Sequence, residues 1–380
     1  MKQSKYLFFL CCFLLFFSCR DSSLSESDLR NGTGLIERRS DEPLEILKSE
    51  NSGDNLEKIT YLEKTAEIED WFQNDDYNFF AEISDISIDD SDNLYVADSK
   101  MHRIFKFNSN HEFILAFGRQ GQGPGEFTGE LMISAGNDGK IYISDHSNYR
   151  LLIFTSEGIL LKQFPLPRST YDKVISNSRG EMFLFSESGF FIMDHFDTSF
   201  NYIQSFLDPK YLLKFPIESP PERIYRQLMR MPPSSSFVFK MMSHEDELCV
   251  VFNNSHTIIC VDEKRDIKTQ FRVAHPRFID DLTIRLKIAK KEKKWINAIR
   301  SAFFDDRGNI SLLYYNSKIN IPEIYRYQKN GEFVDTLRFE SLNTSSKCIV
   351  TTCNSVGNFY GIDHENAKIV IYKIKYSPKI

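Results

Sequence analysis

Three stretches of the chain repeat one pattern of apolar and polar positions. They are DNLYVADSKMHRIFKF (92–107), DGKIYISDHSNYRLLIF (138–154) and GNFYGIDHENAKIVIYKI (357–374). In each, a polar turn pair precedes an alternating segment that ends in aspartate, and a basic residue five positions later opens a second alternating segment. Alternation with a period of two is typical of β-strands. Each stretch therefore predicts an antiparallel hairpin.

Weaker copies fill the rest of the chain, at 171–206, 239–273 and 302–339, and keep the turn and both strands without the acid and base. The aspartates of the first two copies are 47 residues apart, a length that fits one four-stranded propeller blade. The predicted second strands give six blades and contain Tyr95, Tyr142, Phe183, Cys249, Ser311 and Tyr360. The fold prediction is all-β, a six-bladed β-propeller of four-stranded antiparallel blades.

The last copy shows only three strands before the chain ends at Ile380. Residues 57–68, EKITYLEKTAEI, supply an alternating segment before the first blade. A ring closes best when an N-terminal strand completes the final blade, because closure protects the sheet edges. We predict that pairing, and one propeller domain over 56–380.

The first two repeats, including LYVADSKMHRIFKFNSNHEFILAFGRQGQGPGEF (94–127), resemble NHL-repeat six-bladed β-propellers. The resemblance is strong over 81–164, recognisable at 357–374 and architectural over 165–340. It implies a propeller of the type that is common among bacterial exported lipoproteins. It also implies an alternative, because related propeller enzymes hold a divalent metal near the axial channel with Glu, Asp, Asn or His.

Two expanded intervals interrupt the repeats, at about 207–238 and 274–300. The first contains six prolines, which predicts a loop. The second predicts one inserted helix over 276–301, because Leu282, Leu286, Ala289, Ile296 and Ile299 recur at helical spacing. Its other face is basic, which indicates a docking surface or simply a solvated helix face; the residues are Arg285, Lys287, Lys290, Lys291, Lys293 and Lys294.

The N-terminus predicts export. Lys2 and Lys5 precede an apolar run, 6–17, that is too short for the roughly 20 residues of a membrane-spanning helix. Ser18 and Cys19 follow, and this end resembles the bacterial lipobox, which implies lipidation of Cys19; an ordinary cleaved signal is the alternative. We predict a lipoprotein signal peptide over 1–18. The polar composition of 19–55 predicts a flexible tether.

The repeated acid and base have two interpretations. The pairs Asp98 with Arg103, Asp145 with Arg150 and Asp363 with Lys368 could form a ring of ligands or fix each blade corner. Repetition favours the structural role, since a catalytic group is normally needed once.

The run FGRQGQGPGEF (117–127) raises the question of a phosphate-binding loop. It misses both the GxGxxG and the GxxxxGK[ST] patterns, and no helical period follows Phe127. We predict instead a bend from the rim to the axis, with Phe117 and Phe127 packed beneath it.

Chemical groups for catalysis are sparse on the predicted innermost strands, which contain no histidine and only two acids, Asp85 and Asp172. These strands are about 83–88, 131–135, 172–176, 239–243, 301–304 and 347–352. We predict no metal, no cofactor and no catalytic residue, with a metal-dependent hydrolase or lyase as the alternative.

Among the cysteines, Cys249 and Cys260 are predicted cross-strand neighbours that form either a disulfide or two buried thiols. Cys348 and Cys353 are predicted to lie on one innermost strand and not to be bonded to each other. No Cys/His cluster indicates zinc.

These observations predict an envelope-anchored, monomeric binding module rather than an enzyme. Its partner would be a protein, peptide or glycan of the bacterial envelope, and its membrane contact an N-terminal lipid. The formal charge of −6 argues against nucleic acid. The predicted binding face carries both insertions and the glycine run, because connections between blades emerge on one side of a propeller; the candidate residues are Arg119, Gln122, Arg285, Lys287, Lys290, Lys291 and Lys294.

Overall fold

The computed structural model describes most of the chain from residue 58 onwards. The described residues are 47–48, 58–69, 79–166, 173–185, 192–207, 238–253, 256–273, 291, 299–315, 322–340 and 348–375. Every element of two or more residues among them is a β-strand. In this part of the chain no helix is long and apolar enough to cross a membrane.

The strands fall into six groups, which we number as blades 1 to 6. Blade 1 contains β3 (Ile83–Ile88), β4 (Leu94–Asp98), β5 (Arg103–Phe107) and β6 (Phe113–Phe117). Blade 2 contains β7 (Leu131–Ala135), β8 (Ile141–Asp145), β9 (Arg150–Phe154) and β10 (Leu160–Pro165). Blade 3 contains β11 (Ile175–Ser176), β12 (Met182–Phe185), β13 (Met193–Phe196) and β14 (Tyr202–Phe206).

Blade 4 contains β15 (Val238–Met242), β16 (Leu248–Phe252), β17 (Thr257–Val261) and β18 (Ile267–Arg272). Blade 5 contains β19 (Ile299–Phe304), β20 (Ile310–Tyr315), β21 (Pro322–Tyr327) and β22 (Phe333–Phe339). Blade 6 contains β23 (Cys348–Cys353), β24 (Asn358–Asp363), β25 (Lys368–Lys375) and the N-terminal β2 (Ile59–Ile68). A short β1 (Leu47–Lys48) pairs in parallel with β18; it is the part of the predicted tether that the structure describes.

The blades form a closed ring. Within each blade, consecutive strands pair antiparallel from the innermost to the outermost. First strands contact their neighbours between blades 1 and 2 and from blade 3 to blade 6, and β23 of the last blade contacts β3 of the first. Blades 2 and 3 share an apolar cluster. This arrangement confirms the predicted six-bladed β-propeller and places the first strands around a central axis.

The N-terminal strand completes the last blade, as predicted. β2 pairs antiparallel with β25, with Leu62 opposite Ile374 and Ile68 opposite Ile369. Its first half also pairs in parallel with β22, where Ile59 lies opposite Thr336. A single strand therefore closes blade 6 and joins it to blade 5.

Apolar side chains pack into six clusters, one between each pair of consecutive blades. β16 shows how alternation produces this packing, since Leu248 and Val250 join the cluster shared with blade 3, while Cys249 and Val251 join the one shared with blade 5. Second and third strands lie between two neighbours, which explains why β8, β9, β16 and β17 are buried at every position.

One sequence-based boundary is wrong. The predicted helix ran to residue 301, but Ile299, Arg300 and Ser301 belong to β19. Ile299 and Ser301 are buried and Arg300 is exposed, an alternation that fits a strand. Apart from the exposed Lys291, residues 274–298 lie outside the described residues, as do the predicted loop, at 208–237, and the predicted signal peptide.

Candidate functional site

The ring has two faces that differ in the connections they carry. On one, the first and second strands of every blade join through short turns at 89–93, 136–140, 177–181, 243–247, 305–309 and 354–358. We call this the turn face. Because strands alternate in direction, the connection from each blade to the next emerges on the opposite side, which we call the insertion face. The glycine run and both long intervals join strand ends on the insertion face.

The glycine run folds around its own carboxylate. The Gly123 N–H donates to Glu126 Oε2 at 2.7 Å, and Arg119 Nε donates to Glu126 Oε1 at 2.8 Å. This backbone N–H holds the pKa of the Glu126 carboxyl below its usual range, with Arg119 adding to the effect. At Gly118 (φ +89°) a Cβ would collide with the ring of Phe127. An internal acid thus occupies the position that an anionic ligand would take in a phosphate-binding loop.

The same run is fastened to blade 2. Arg150 donates from its two terminal nitrogens to Gln122 O at 2.9 Å and Glu126 O at 2.6 Å. Asn148 Nδ2 donates to Gly121 O at 3.1 Å. Beneath it, Phe127 is fully buried in the cluster between blades 1 and 2. The predicted bend is confirmed, and hydrogen bonds hold it against blade 2 on the insertion face.

The repeated aspartates all cap the turn between the second and third strands. Asp98 accepts hydrogen bonds from the N–H groups of Ala81 and Glu82 through Oδ2, and from Lys100 and Met101 through Oδ1. These bonds hold the corner of blade 1 and tie it to the segment before β3.

Their basic partners behave differently from blade to blade. Asp145 Oδ2 lies 3.5 Å from Arg150 Nε, whereas Lys368 Nζ pairs with Glu67 Oε1 of β2 at 2.9 Å rather than with Asp363. Burial raises the pKa of the Asp145 carboxyl. Asp98 and Arg103 are direct cross-strand neighbours. The aspartate therefore has the same structural role in all three blades. The basic residue has a different partner in different blades: Arg150 binds the glycine run, and Lys368 binds Glu67.

The remaining predicted binding residues are only partly described. Arg119 and Gln122 are exposed on the insertion face. Lys291 is exposed, and Arg285, Lys287, Lys290, Lys293 and Lys294 lie outside the described residues. Whether these residues contact a partner stays a prediction.

The cysteines follow the strand register. Cys249 and Cys260 lie opposite each other on β16 and β17 and form a disulfide. Cys348 and Cys353, at the two ends of β23, are free, so they are not bonded to each other. Burial raises the pKa of the Cys348 thiol to about 12.

A cavity of about 340 Å³ follows the axis of the ring. Residues from all six first strands line it, among them Asp85, Met132, Ile175, Met241, Ala302 and Thr352. Towards the turn face its lining includes Asp89, Asp90 and His244. The lining is thus built from first strands, as expected for an axial channel.

Charged groups in this cavity come from different blades. Lys173 Nζ lies 3.0 Å from Asp85 Oδ2, which also accepts the Ile133 N–H at 2.9 Å. The Lys240 ammonium lies 4.2 Å from the ring centre of Phe185, and the Arg300 guanidinium 5.9 Å from that of Tyr315.

Sequence reasoning examined the first strands for acids and histidines and missed these bases. The signal was present, since Lys173, Lys240 and Arg300 are basic positions within or beside short apolar first strands in three consecutive repeats. A base recurring there, where apolar residues dominate, is the pattern that would have found them.

The turn of blade 4 spans the cavity at the turn face. His244 Nδ1 donates to Asp90 Oδ1 of blade 1 at 2.9 Å. Asn137 of blade 2 donates to Ser243 O at 2.7 Å and Asp246 Oδ1 at 2.8 Å. One turn therefore contacts the turns of two distant blades across the mouth.

Among the described residues, no three His, Cys, Asp or Glu side chains lie close enough together to hold a metal ion. The acid Asp85 is engaged by Lys173 and backbone N–H groups, and Asp172 lies outside the described residues.

Comparison with known proteins supports the fold. The profile of the family DUF5128, described as a 6-bladed beta-propeller, matches residues 72–205. No curated protein sequence matches the chain.

Several solved structures share the architecture at low sequence identity. A member of the duf4221 family from Bacteroides vulgatus has a TM-score of 0.52 and 10% identity, covering 85% of this chain and 98% of the other. A predicted exported protein of Bacteroides fragilis has a TM-score of 0.50 and 12% identity, covering 84% and 100%. Virginiamycin B lyase from Staphylococcus aureus has a TM-score of 0.47 and 11% identity, covering 77% and 95%. At such identities the likeness concerns the fold alone.

Proposed function

We propose that the protein is an exported, lipid-anchored binding module of a bacterial cell envelope, which recognises a protein, peptide or glycan through its insertion face. The observation that carries this proposal is the asymmetry of the ring. Turn-face hairpins are short and hydrogen-bonded, whereas the connections from β14 to β15 and from β18 to β19 both join the insertion face. Long loops on a rigid scaffold are where binding residues concentrate.

The glycine run supports this proposal as a fixed platform beside those connections. Arg150 and Asn148 of blade 2 donate hydrogen bonds to the backbone of the run, and the side chain of Arg119 is exposed on its surface. Because Arg119 already pairs with Glu126, its contribution to a partner would be a shared hydrogen bond rather than an unpaired charge. A preorganised surface of this kind loses little entropy on binding.

Export and anchoring rest on the sequence. The apolar run at 6–17 ends at Cys19, and a disulfide between Cys249 and Cys260 suits an oxidising compartment. A lipid on Cys19 would hold the propeller at the membrane surface as a monomer on a polar tether. The alternative of a metal-dependent hydrolase or lyase receives no supporting observation from the described residues.

Partner capture tests the insertion face. Envelope partners are cross-linked to the full-length protein in cells and compared with those of a variant lacking 276–297, a deletion that leaves β19 intact. Lys291→Glu is compared with Lys264→Glu, an exposed lysine in a turn on the turn face. We expect the deletion and Lys291→Glu to lose cross-linked partners, and Lys264→Glu to keep them. If the cross-linked partners stay the same in every variant, the insertion face is not the binding surface.

Membrane fractionation tests the anchor separately. Cys19→Ala should move the protein from the membrane fraction to the soluble fraction, while Cys12→Ala, a change within the apolar run, should leave it in place. Equal behaviour of the two variants would show that Cys19 carries no lipid.

A further inference from the structure

We propose that the axial cavity is a binding site for a small carboxylate with an apolar body. This ligand differs in class from the protein, peptide or glycan partner of the insertion face, so the inference goes beyond the proposed function. The cavity volume of about 340 Å³ lies in the range of small-molecule sites.

The apolar body is indicated by the lining. Met132, Met241 and Met242 contribute flexible thioether side chains, and Phe239, Phe303 and Phe304 contribute rings. Methionine adapts to ligands of irregular shape, and rings provide a large contact area. The lining also contains serine, threonine and charged side chains, so the thioethers and rings would contact the apolar part of a ligand and the polar groups its charged end.

The negative group is indicated by the bases. Lys173, Lys240 and Arg300 line the cavity from blades 3, 4 and 5. Because Lys173 is paired with Asp85, Lys240 and Arg300 are the cations that would bind a carboxylate. Lys240 and Arg300 lie against aromatic rings, an arrangement that orients a cation while its charge persists. A carboxylate placed among them would gain charge-assisted hydrogen bonds in partly desolvated surroundings.

The acids of the cavity do not oppose this assignment, because each is engaged within the protein. Asp85 accepts from Lys173 and from the N–H groups of Ile86 and Ile133. Asp89 accepts from the Asn93 backbone and side chain and from the Tyr95 hydroxyl. Asp90 accepts from His244. These bonds engage the carboxylates of blade 1, so we place the anion on the side of blades 3 to 5, where it would share Lys240 and Arg300 with the contacts that they already make.

Calorimetric titration of the full-length protein in detergent tests the proposal. The probes are linear acids from butyrate to decanoate together with 3-phenylpropionate, each compared with its neutral primary amide. We expect at least one acid to bind saturably and its amide to bind at least tenfold more weakly.

Variants locate the site. Lys240→Met should weaken binding of that acid at least tenfold, Lys240→Arg should largely restore it, and Lys264→Met on the turn face should leave it unchanged. Ala302→Trp should fill the cavity and abolish binding. Thermal unfolding of each variant shows whether it is folded, and the Arg variant separates loss of charge from loss of structure.

Three results would overturn the proposal: no acid saturates at millimolar concentration, acid and amide bind equally, or Lys240→Met and Lys264→Met behave alike. Deleting 276–297 distinguishes this site from the proposed partner surface. Loss of partners with retained acid binding would show that the two are independent.

Discussion

His244 of blade 4 and Asp90 of blade 1 form a hydrogen bond of 2.9 Å across the mouth of the axial cavity. In a ring of six blades these two blades are opposite each other, so the bond spans the opening rather than following its rim. Both side chains are largely exposed, and a surface pair of this kind adds little stability, about 0 to 1 kcal/mol. We therefore expect the bond to restrict the entry of solutes into the cavity from the turn face, rather than to stabilise the fold.

Thiol labelling measures that access. Cys353 is free and lines the cavity at its turn-face end, and burial raises the pKa of its thiol. We expect His244→Ala to increase the alkylation rate of Cys353 severalfold, because the mouth loses one of its crossing bonds. Iodoacetamide labelling followed by peptide mass spectrometry provides the rate.

Cys348 is the internal control for this experiment, since it is free and buried but does not line the cavity. Its rate should not respond to His244→Ala. A parallel increase at both cysteines would instead indicate loosening of β23, and an unchanged rate at Cys353 would show that the His244 bond does not limit access.

A buried ionic cluster holds blade 5 together. Arg326 donates to both oxygens of Asp335 at 2.7 Å and to Asp305 Oδ2 at 3.0 Å. Although burial alone would lower the pKa of Arg326, its bond with Asp335 and the charge of Asp305 raise it. All three side chains are almost fully buried.

Arg326→Met should therefore lower the free energy of unfolding by about 3–5 kcal/mol, since it leaves two buried carboxylates without their cation. Arg119→Met, which breaks an exposed pair with Glu126, should cost less than about 1 kcal/mol. Urea denaturation at pH 7.5 compares the two. Equal losses would mean that burial does not strengthen the Arg326 cluster.

Stability should fall as the pH drops below about 6.5, the ordinary histidine pKa. Burial, followed by the positive charge of Arg265, lowers the pKa of His195, and burial lowers that of His111. The folded state thus favours the neutral rings, whose contribution is complete above the unfolded pKa and is lost as the pH falls towards the folded pKa.

His195→Gln should flatten the change in unfolding free energy between pH 7.5 and pH 5.5. Leu152→Ala is the control, because Leu152 is buried in the cluster between blades 1 and 2, which contains no histidine. Its cost should be the same at both pH values. A His195→Gln variant with the slope of the unchanged protein would assign the pH dependence to other groups.

The ring of six blades could be predicted from the sequence, because the pattern that specifies each blade lies within one repeat and recurs along the chain. Each copy contains its own turn pair and two apolar strands, and the predicted first strands at 83–88 and 131–135 coincide with β3 and β7. The closing strand was predictable because three strands remained in the last copy and one alternating segment remained before the first.

The cavity could not be predicted in the same way, because its chemistry is assembled across blades. Lys173 and Asp85 are 88 residues apart in the chain, and no periodicity links them. The partners of the repeated bases show the same limit, since Lys368 pairs with Glu67 of the N-terminal strand. The boundary at Ile299 was missed because one apolar residue fits both a helical and a strand spacing.

Closure of the ring by β2 gives the last prediction. Leu62 is buried against blades 5 and 6, in the cluster that contains Phe339 and Tyr372, whereas its neighbour Tyr61 is 46% exposed. Leu62→Ala should lower the free energy of unfolding by about 2–5 kcal/mol through the lost contacts and the cavity left behind. Tyr61→Ala should change it by about 0.5 kcal/mol or less.

Removing the strand altogether should have a second effect, which the point substitution does not share. Without 58–69, β25 loses its antiparallel partner and β22 its parallel one, and unpaired strand edges promote association between chains. We expect the shortened protein to form oligomers in size-exclusion chromatography with light scattering, while Leu62→Ala stays monomeric. A stable monomer without 58–69 would mean that three strands suffice for blade 6, and that the N-terminal strand is an addition to a ring already closed by β23 and β3.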